Sequence, residues 1–208
     1  MNGRRGLFVA SEGIPFLLVL AAITVITWQF LGTSHAWIPF LLLVYLYMIF
    51  RDPHRDVSSA PLGVVSPVDG KVVETVTVEN GLLEGEVNRI TIRVTSFGTY
   101  SARAPVEGKI MDLHALAHRS PSTVDAAGLW VATDEGENVV LQFRGNRFGI
   151  APRAFLRYGE RVGQGQRCAY LRLTKFADVE LSGNARILVE KGQRVSAGTD
   201  VLALLPPP

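Results

Sequence analysis

The stretch Ser66-Pro67-Val68-Asp69-Gly70-Lys71-Val72-Val73-Glu74 decides how this chain is read. It has the look of a site, with a carboxylate, Asp69, on a Pro-Gly turn between two hydrophobic runs. The same pattern returns 38 residues on, as Ala104-Pro105-Val106-Glu107-Gly108-Lys109-Ile110. A second echo links Gly159-Glu160-Arg161-Val162-Gly163-Gln164-Gly165 to Gly192-Gln193-Arg194-Val195-Ser196-Ala197-Gly198, 33 residues apart. Each copy joins a tight turn to a hydrophobic strand. Repeats of this kind predict a flattened, pseudo-symmetric barrel or sandwich-like domain in which related hairpins pack face to face.

The surrounding sequence is mainly β. After a Pro/Ser-rich linker, RDPHRDVSSAP from Arg51, come GVVSP, GKVVETVTV, VNRITIRVTS, GKIMDLHAL, LWVAT, NVVLQF and RFGIA. These runs are β-branched or alternating, and Gly, Pro, Asn or Asp bounds each of them. No segment of this region sustains a 3.6-residue period. Residues Ala151 to Tyr158 are open to either reading, short helix or strand.

Upstream lie two apolar runs. Ile14 to Gly32 carries no charge and, at 1.5 Å per residue, just spans a hydrocarbon core of about 30 Å. After Thr-Ser-His, Ala36 to Phe50 forms a second, shorter run. Pro15 and Pro39 are expected at helix starts, where a missing N–H does little harm. No small-residue cleavage site follows the first run, so the pair reads as a membrane hairpin rather than a signal peptide. Trp28, Trp37, Tyr45 and Tyr47 are candidate interfacial anchors. Arg4 and Arg5 precede the hairpin, Arg51, His54 and Arg55 follow it, and the connecting turn has no Lys or Arg. The positive-inside rule then places both ends in the cytoplasm. The expected division is a hairpin over residues 1–55 and a β-rich domain over 56–208, on the cytoplasmic face of the cell inner membrane.

Composition narrows the function. Over 208 residues, Lys and Arg number 21 against 19 Asp and Glu, a balance that gives no bulk attraction for nucleic acid. The single cysteine, Cys168, excludes an intrachain disulfide and a cysteine zinc site. His114 and His118, four apart with Asp112 nearby, have metal-ligand spacing on a helix, but their segment reads as strand running into loop. Arg144, Arg147, Arg153, Arg157, Arg161 and Arg167 form a basic group that either meets phospholipid head groups or is a solvated face. The cadence of the echoes also suits a biotinyl- or lipoyl-type carrier domain, yet no hairpin presents a modifiable lysine in that motif.

The order of features resembles the short, single-hairpin type of phosphatidylserine decarboxylase along nearly the whole chain. Glu12-Gly-Ile-Pro-Phe16 is similar to the family's entry into its hairpin, and Phe50-Arg-Asp-Pro-His-Arg55 to its exit. Val65 to Val72 resembles its Ser-Pro-Ala-Asp-Gly-Lys-Val run. Arg103-Ala-Pro105 with the following Gly-Lys-Ile, and Gly192 to Ala203, match its later segments. The resemblance implies a Gly-Ser bond that cleaves itself and leaves a pyruvoyl group. That group forms a Schiff base with phosphatidylserine, while an Asp and a His activate the serine.

The resemblance puts the Asp at Asp69. Where the His belongs, counting back from Arg103-Ala-Pro105, stands Tyr100. Anchored on Arg172 and Asp178-Val179, the Gly-Ser pair falls on Thr174 and Lys175. Thr174 resists the strained turn that glycine permits. Lys175 lacks the β-hydroxyl that both the acyl shift and the dehydration require, and a phenol with a pKa near 10 is a poor base at neutral pH. These losses imply a pseudoenzyme with no cofactor, because the pyruvoyl group cannot form. Its expected partners are membrane phospholipid and either a second copy of itself or an active family member. The alternative is an active lyase that makes phosphatidylethanolamine at a non-standard site. On that reading Asp69 is a remnant catalytic carboxylate and Lys175 an amine nucleophile; on the other they are a turn residue and a surface lysine.

Overall fold

The computed structural model describes residues 8–53, 55–57, 60–79, 81–112, 128–146, 152–154 and 156–207. The chain divides into two compact units, Met1–His54 and Arg55–Pro208.

In the first unit, α1 (Ile14–Leu31) and α2 (Thr33–Phe50) pack against each other as a hairpin. Gly32 alone makes the connection, at φ 82, a left-handed angle that a side chain would oppose. Pro15 lies in the first turn of α1 as expected. Pro39 does not lie in a first turn: α2 begins at Thr33, because Thr-Ser-His continues the helix, and Pro39 falls inside it. At the open end Phe16 and Phe50 stack, with ring centroids 6.1 Å apart. The residues on either side of the hairpin, Phe8–Ala10 and Phe50–Asp52, meet here. Val9 bridges Arg51, Ala10 N–H donates to Phe50 O at 2.9 Å, and Asp52 N–H donates to Phe8 O at 2.8 Å.

Thr24 and Thr27 turn their hydroxyls back onto Leu20 and Ile23 carbonyls, so no side-chain hydroxyl on α1 is left seeking water. Large apolar side chains stay exposed on both helices, from Phe16 and Trp28 to Ile38 and Tyr45. Both helices are long and apolar enough to cross a membrane. Two apolar helices with this much exposed apolar surface suggest membrane association.

The second unit is mainly β. Its strands run β1 (Gly63–Val65), β2 (Gly70–Val78), β3 (Val87–Val94), β4 (Ser101–Arg103), β5 (Gly108–Asp112), β6 (Gly128–Ala132) and β7 (Asn138–Asn146). They continue as β8 (Arg153–Ala154), β9 (Arg161–Val162), β10 (Arg167–Tyr170), β11 (Thr174–Ser182), β12 (Arg186–Ile187), β13 (Arg194–Val195) and β14 (Val201–Leu204). Within Ala151 to Tyr158, Arg153 and Ala154 form the short strand β8, and Ala151 and Phe155 lie outside the described residues. The expected RFGIA strand lies outside the described residues.

An eight-stranded sheet, ordered β13-β2-β3-β11-β7-β6-β5-β9, curls into a half-barrel, with β1-β14-β12 and β4-β10-β8 as two three-stranded sheets. The sequence echoes reappear as pseudo-two-fold symmetry. Gly70 pairs with Val195 and Lys71 with Arg194; in the second copy Gly108 pairs with Val162 and Lys109 with Arg161. The turns match bond for bond. Gly192 N–H donates to Val72 O and Gly159 N–H to Ile110 O, each at 2.8 Å. Gly198 N–H donates to Ser66 O and Gly165 N–H to Ala104 O, again at 2.8 Å. The two copies are tied together where Arg103 N–H donates to Pro67 O and Val65 N–H to Pro105 O.

The core is the inner face of the curled sheet closed by the two small sheets. Ile90, Ile92, Ala177, Val179, Leu181, Leu141 and Phe143 come from its central strands, and Val64, Cys168 and Leu202 from the small ones. The outer face carries a second, smaller cluster. There Leu83, Val87 and Val140 pack with Val78, Leu82 and Trp130.

Candidate functional site

The turn before β2 sets Asp69, and every oxygen of its carboxylate has a partner. Oδ2 accepts the Thr99 N–H at 3.0 Å and a bond from Arg55 Nη2 at 3.0 Å, while Oδ1 accepts the Ala197 N–H at 2.7 Å. Its backbone carbonyl accepts the Thr95 N–H at 2.9 Å. The side chain is only 14% exposed. Three segments therefore converge on one carboxylate: the start of the unit at Arg55, the β3–β4 loop and the turn after β13. Its counterpart in the echo, Glu107, is exposed. A carboxylate that accepts from two backbone amides and a guanidinium has few lone pairs left for a substrate proton.

Tyr100 follows Thr99 directly and is half-buried, its ring 5.7 Å from that of Tyr170. The Tyr100 carbonyl accepts the Leu171 N–H at 2.9 Å, and Leu171 O in turn accepts both the N–H and the Oγ1 of Thr174, at 3.0 and 2.6 Å. The three sequence-derived positions are thus linked by short steps, Asp69 to Thr99, Tyr100 to Leu171, Leu171 to Thr174. Thr174 is 5% exposed and opens β11. Lys175 after it is exposed, against Gly145 of β7.

The turn that delivers Thr174 is strained. Arg172 and Leu173 stand at φ 46 and 67, two left-handed residues in succession with neither a glycine. The bond from Thr174 N–H to Leu171 O closes the turn around them. Such pairs favour Asn-Gly, and each other residue held there costs on the order of 1 kcal/mol.

Several residues were not marked by sequence reasoning. Asp178 and Glu180 are 1% and 0% exposed, on the outer face of β11, opposite in parity to Ala177, Val179 and Leu181. Asp178 accepts from Thr91 Oγ1 at 2.7 Å and pairs with Arg144, whose pKa is raised first of all by that hydrogen bond. Glu180 accepts from Arg89 Nε at 2.8 Å and the Leu82 N–H at 2.6 Å. The signal was the alternation Ala-Asp-Val-Glu-Leu, which puts both acids on one face of a strand.

Among the other sequence candidates, Arg161 pairs with Asp134, Arg153 and Arg157 are exposed, and Arg167 is half-buried. Arg147, His114 and His118 lie outside the described residues. Among the described residues no three of His, Cys, Asp and Glu are grouped to hold a metal ion. Cys168 is buried, and burial pushes its thiol up to about 12 despite the nearby Arg103.

Proteins of Burkholderia ambifaria and Burkholderia cenocepacia are 30% identical to this chain over 208 aligned positions, which cover 95% of it and 96% of each of them. Another, of Burkholderia mallei, is 30% identical with 95% of both chains covered. All three are named phosphatidylserine decarboxylase proenzyme. The chain belongs to the phosphatidylserine decarboxylase family. No protein-family model matches it. Among solved structures it is similar to the glucose permease IIA of Mycoplasma capricolum, at 19% identity and a TM-score of 0.48, over 68% of this chain and 94% of that one. In this phosphatidylserine decarboxylase family member, Asp69, Tyr100 and Thr174 lie within a few hydrogen-bonded steps of one another, with Lys175 beside them on β11.

Proposed function

We propose that this chain is a membrane-anchored member of the phosphatidylserine decarboxylase family that works without self-cleavage, as a lipid-binding or regulatory protein of phospholipid metabolism. The observation that carries the reading is the pair at the start of β11. Thr174 stands where the family resemblance calls for glycine, with its Oγ1 bonded to Leu171 O, and Lys175 stands in place of the serine. An N→O acyl shift needs a hydroxyl or thiol on the residue after the scissile carbonyl, and an amine on a four-carbon arm offers neither. These residues do not fit a pyruvoyl group.

The other family positions support the same reading. Asp69 is engaged by two backbone amides and Arg55, so its position serves to hold the fold. Tyr100 brings a phenol in place of an imidazole. The Arg residues on both sides of the hairpin and their absence from Gly32 favour the inner membrane, with the β-rich unit in the cytoplasm. Membrane phospholipid is the ligand class, and a second copy or an active family member is the protein partner that a silent scaffold of this family would regulate.

Intact-mass measurement of the purified chain tests the reading. A single species at the calculated 22.7 kDa, together with no conversion of phosphatidylserine, is the expected result. Two fragments divided near residue 175, the second with a blocked N-terminus, would overturn it in favour of an active lyase with a non-standard site.

A further inference from the structure

The register of the large sheet aligns Arg194, Lys71, Arg93, Phe176 and Arg144 in one row across five adjacent strands, β13, β2, β3, β11 and β7. Directly paired residues of antiparallel strands project from the same face, so the row is continuous over about 19 Å on the outside of the half-barrel. Its two ends differ. Arg144 is neutralised by Asp178. Arg194, Lys71 and Arg93 are all exposed and none makes an ion pair among the described residues, although the Arg93 guanidinium lies 5.8 Å from the centre of the Phe176 ring. The next row on the same face carries the carboxylates of Asp178 and Glu74, and both contribute to the field that raises the Arg144 pKa.

Like charges placed directly opposite one another oppose strand pairing. In the second copy of the motif, where Lys109 faces Arg161, Asp134 pairs with Arg161 and relieves that opposition. In the first copy nothing described does so, and a third cation, Arg93, extends the row.

We propose that Arg194, Lys71 and Arg93 form a docking surface for the anionic head groups of a phospholipid bilayer, which supply the countercharge that no described residue provides. The inference rests on the reading of the chain as membrane-anchored. It differs in residues and in face from a general attraction by net charge.

The pseudo-symmetry provides an internal control, because Lys71 and Lys109 are equivalent and both exposed. The full chain is placed in nanodiscs of phosphatidylcholine, with or without about a third of phosphatidylglycerol, and labelled with an amine-reactive reagent. Mass spectrometry gives the Lys71-to-Lys109 labelling ratio. Anionic lipid should lower that ratio about fivefold, the factor set by one cation at an anionic surface. Arg93→Gln with Arg194→Gln, which leaves Lys71 in place, should remove most of the protection while Lys109 labelling is unchanged. A ratio indifferent to lipid charge overturns the proposal and leaves the anchor intact. Equal protection by soluble glycerol 3-phosphate in neutral nanodiscs overturns the bilayer as the occupant. Failure of the chain to enter nanodiscs overturns both the proposal and the anchoring on which it rests.

Discussion

Replacing Asp69 with alanine removes the acceptor on which three segments converge, and the cost can be worked from its bonds. The Thr99 and Ala197 amides belong to residues 4% and 0% exposed, so water replaces the lost acceptor poorly. Each buried N–H left without a partner costs about 1–3 kcal/mol. Arg55, 29% exposed at its side chain, adds less than about 1 kcal/mol. The sum is roughly 3–5 kcal/mol, which for a unit of this size lowers the unfolding midpoint by about 10 °C. The pseudo-symmetric Glu107→Ala touches an exposed carboxylate and should change stability by no more than about 0.5 kcal/mol. Thermal unfolding of the full chain in detergent, followed by near-ultraviolet circular dichroism, reads both variants. If Asp69→Ala and Glu107→Ala unfold within a degree or two of each other, Asp69 is an ordinary turn residue and the reasoning is wrong.

Four further outcomes are expected. Glu180→Ala removes the buried acceptor of Arg89 Nε and of the Leu82 N–H and should cost about 1–3 kcal/mol in denaturant titration. Leu173→Gly relieves a left-handed residue that is not part of either hydrophobic cluster, and should raise stability by about 1 kcal/mol in the same assay. Cys168, buried with its thiol near 12, should resist maleimide at pH 8 until the domain unfolds. Because its folded pKa lies above the unfolded value, its contribution to stability is complete below about pH 9 and is lost as pH rises towards 12, a loss absent from Cys168→Ala. Thr174→Gly with Lys175→Ser and Tyr100→His supplies the missing groups, and a cleaved product by intact mass would show that these positions alone separate the chain from self-processing.

What could be read from the sequence was whatever repeats or is contiguous. The two echoes announced the pseudo-symmetry, since the same residues making the same turns need no knowledge of pairing. The hairpin was equally plain, because an uncharged apolar run of the right length has few other uses in water. The helical state of Thr33 to His35 was not, and Pro39 shows why: a proline in a helix interior is normally costly, which argued for a later start. The long-range pairings were hidden altogether. Nothing local says that β11 sits between β3 and β7, so neither the burial of Asp178 and Glu180 nor the row through Lys71 and Arg93 could be derived. Of the site, Asp69 was legible as a carboxylate on a turn. Its partners were not, because two of them are backbone amides at Thr99 and Ala197, which any residue other than proline would supply.

The pairing of β1 with β14 has a consequence for how the protein is made. Gly63 lies opposite Leu204 and Val65 opposite Val201, so the first strand of the domain waits for the last. At common rates of synthesis that wait is on the order of 10 s. Throughout it, the hairpin has already emerged and β1 has no neighbour to pair with. Contacts so distant along the chain also slow the search for the native state once synthesis ends. The loss of a few residues from the C-terminus would therefore leave β1 and β12 both without their shared partner, and the nascent domain exposed to aggregation at the membrane.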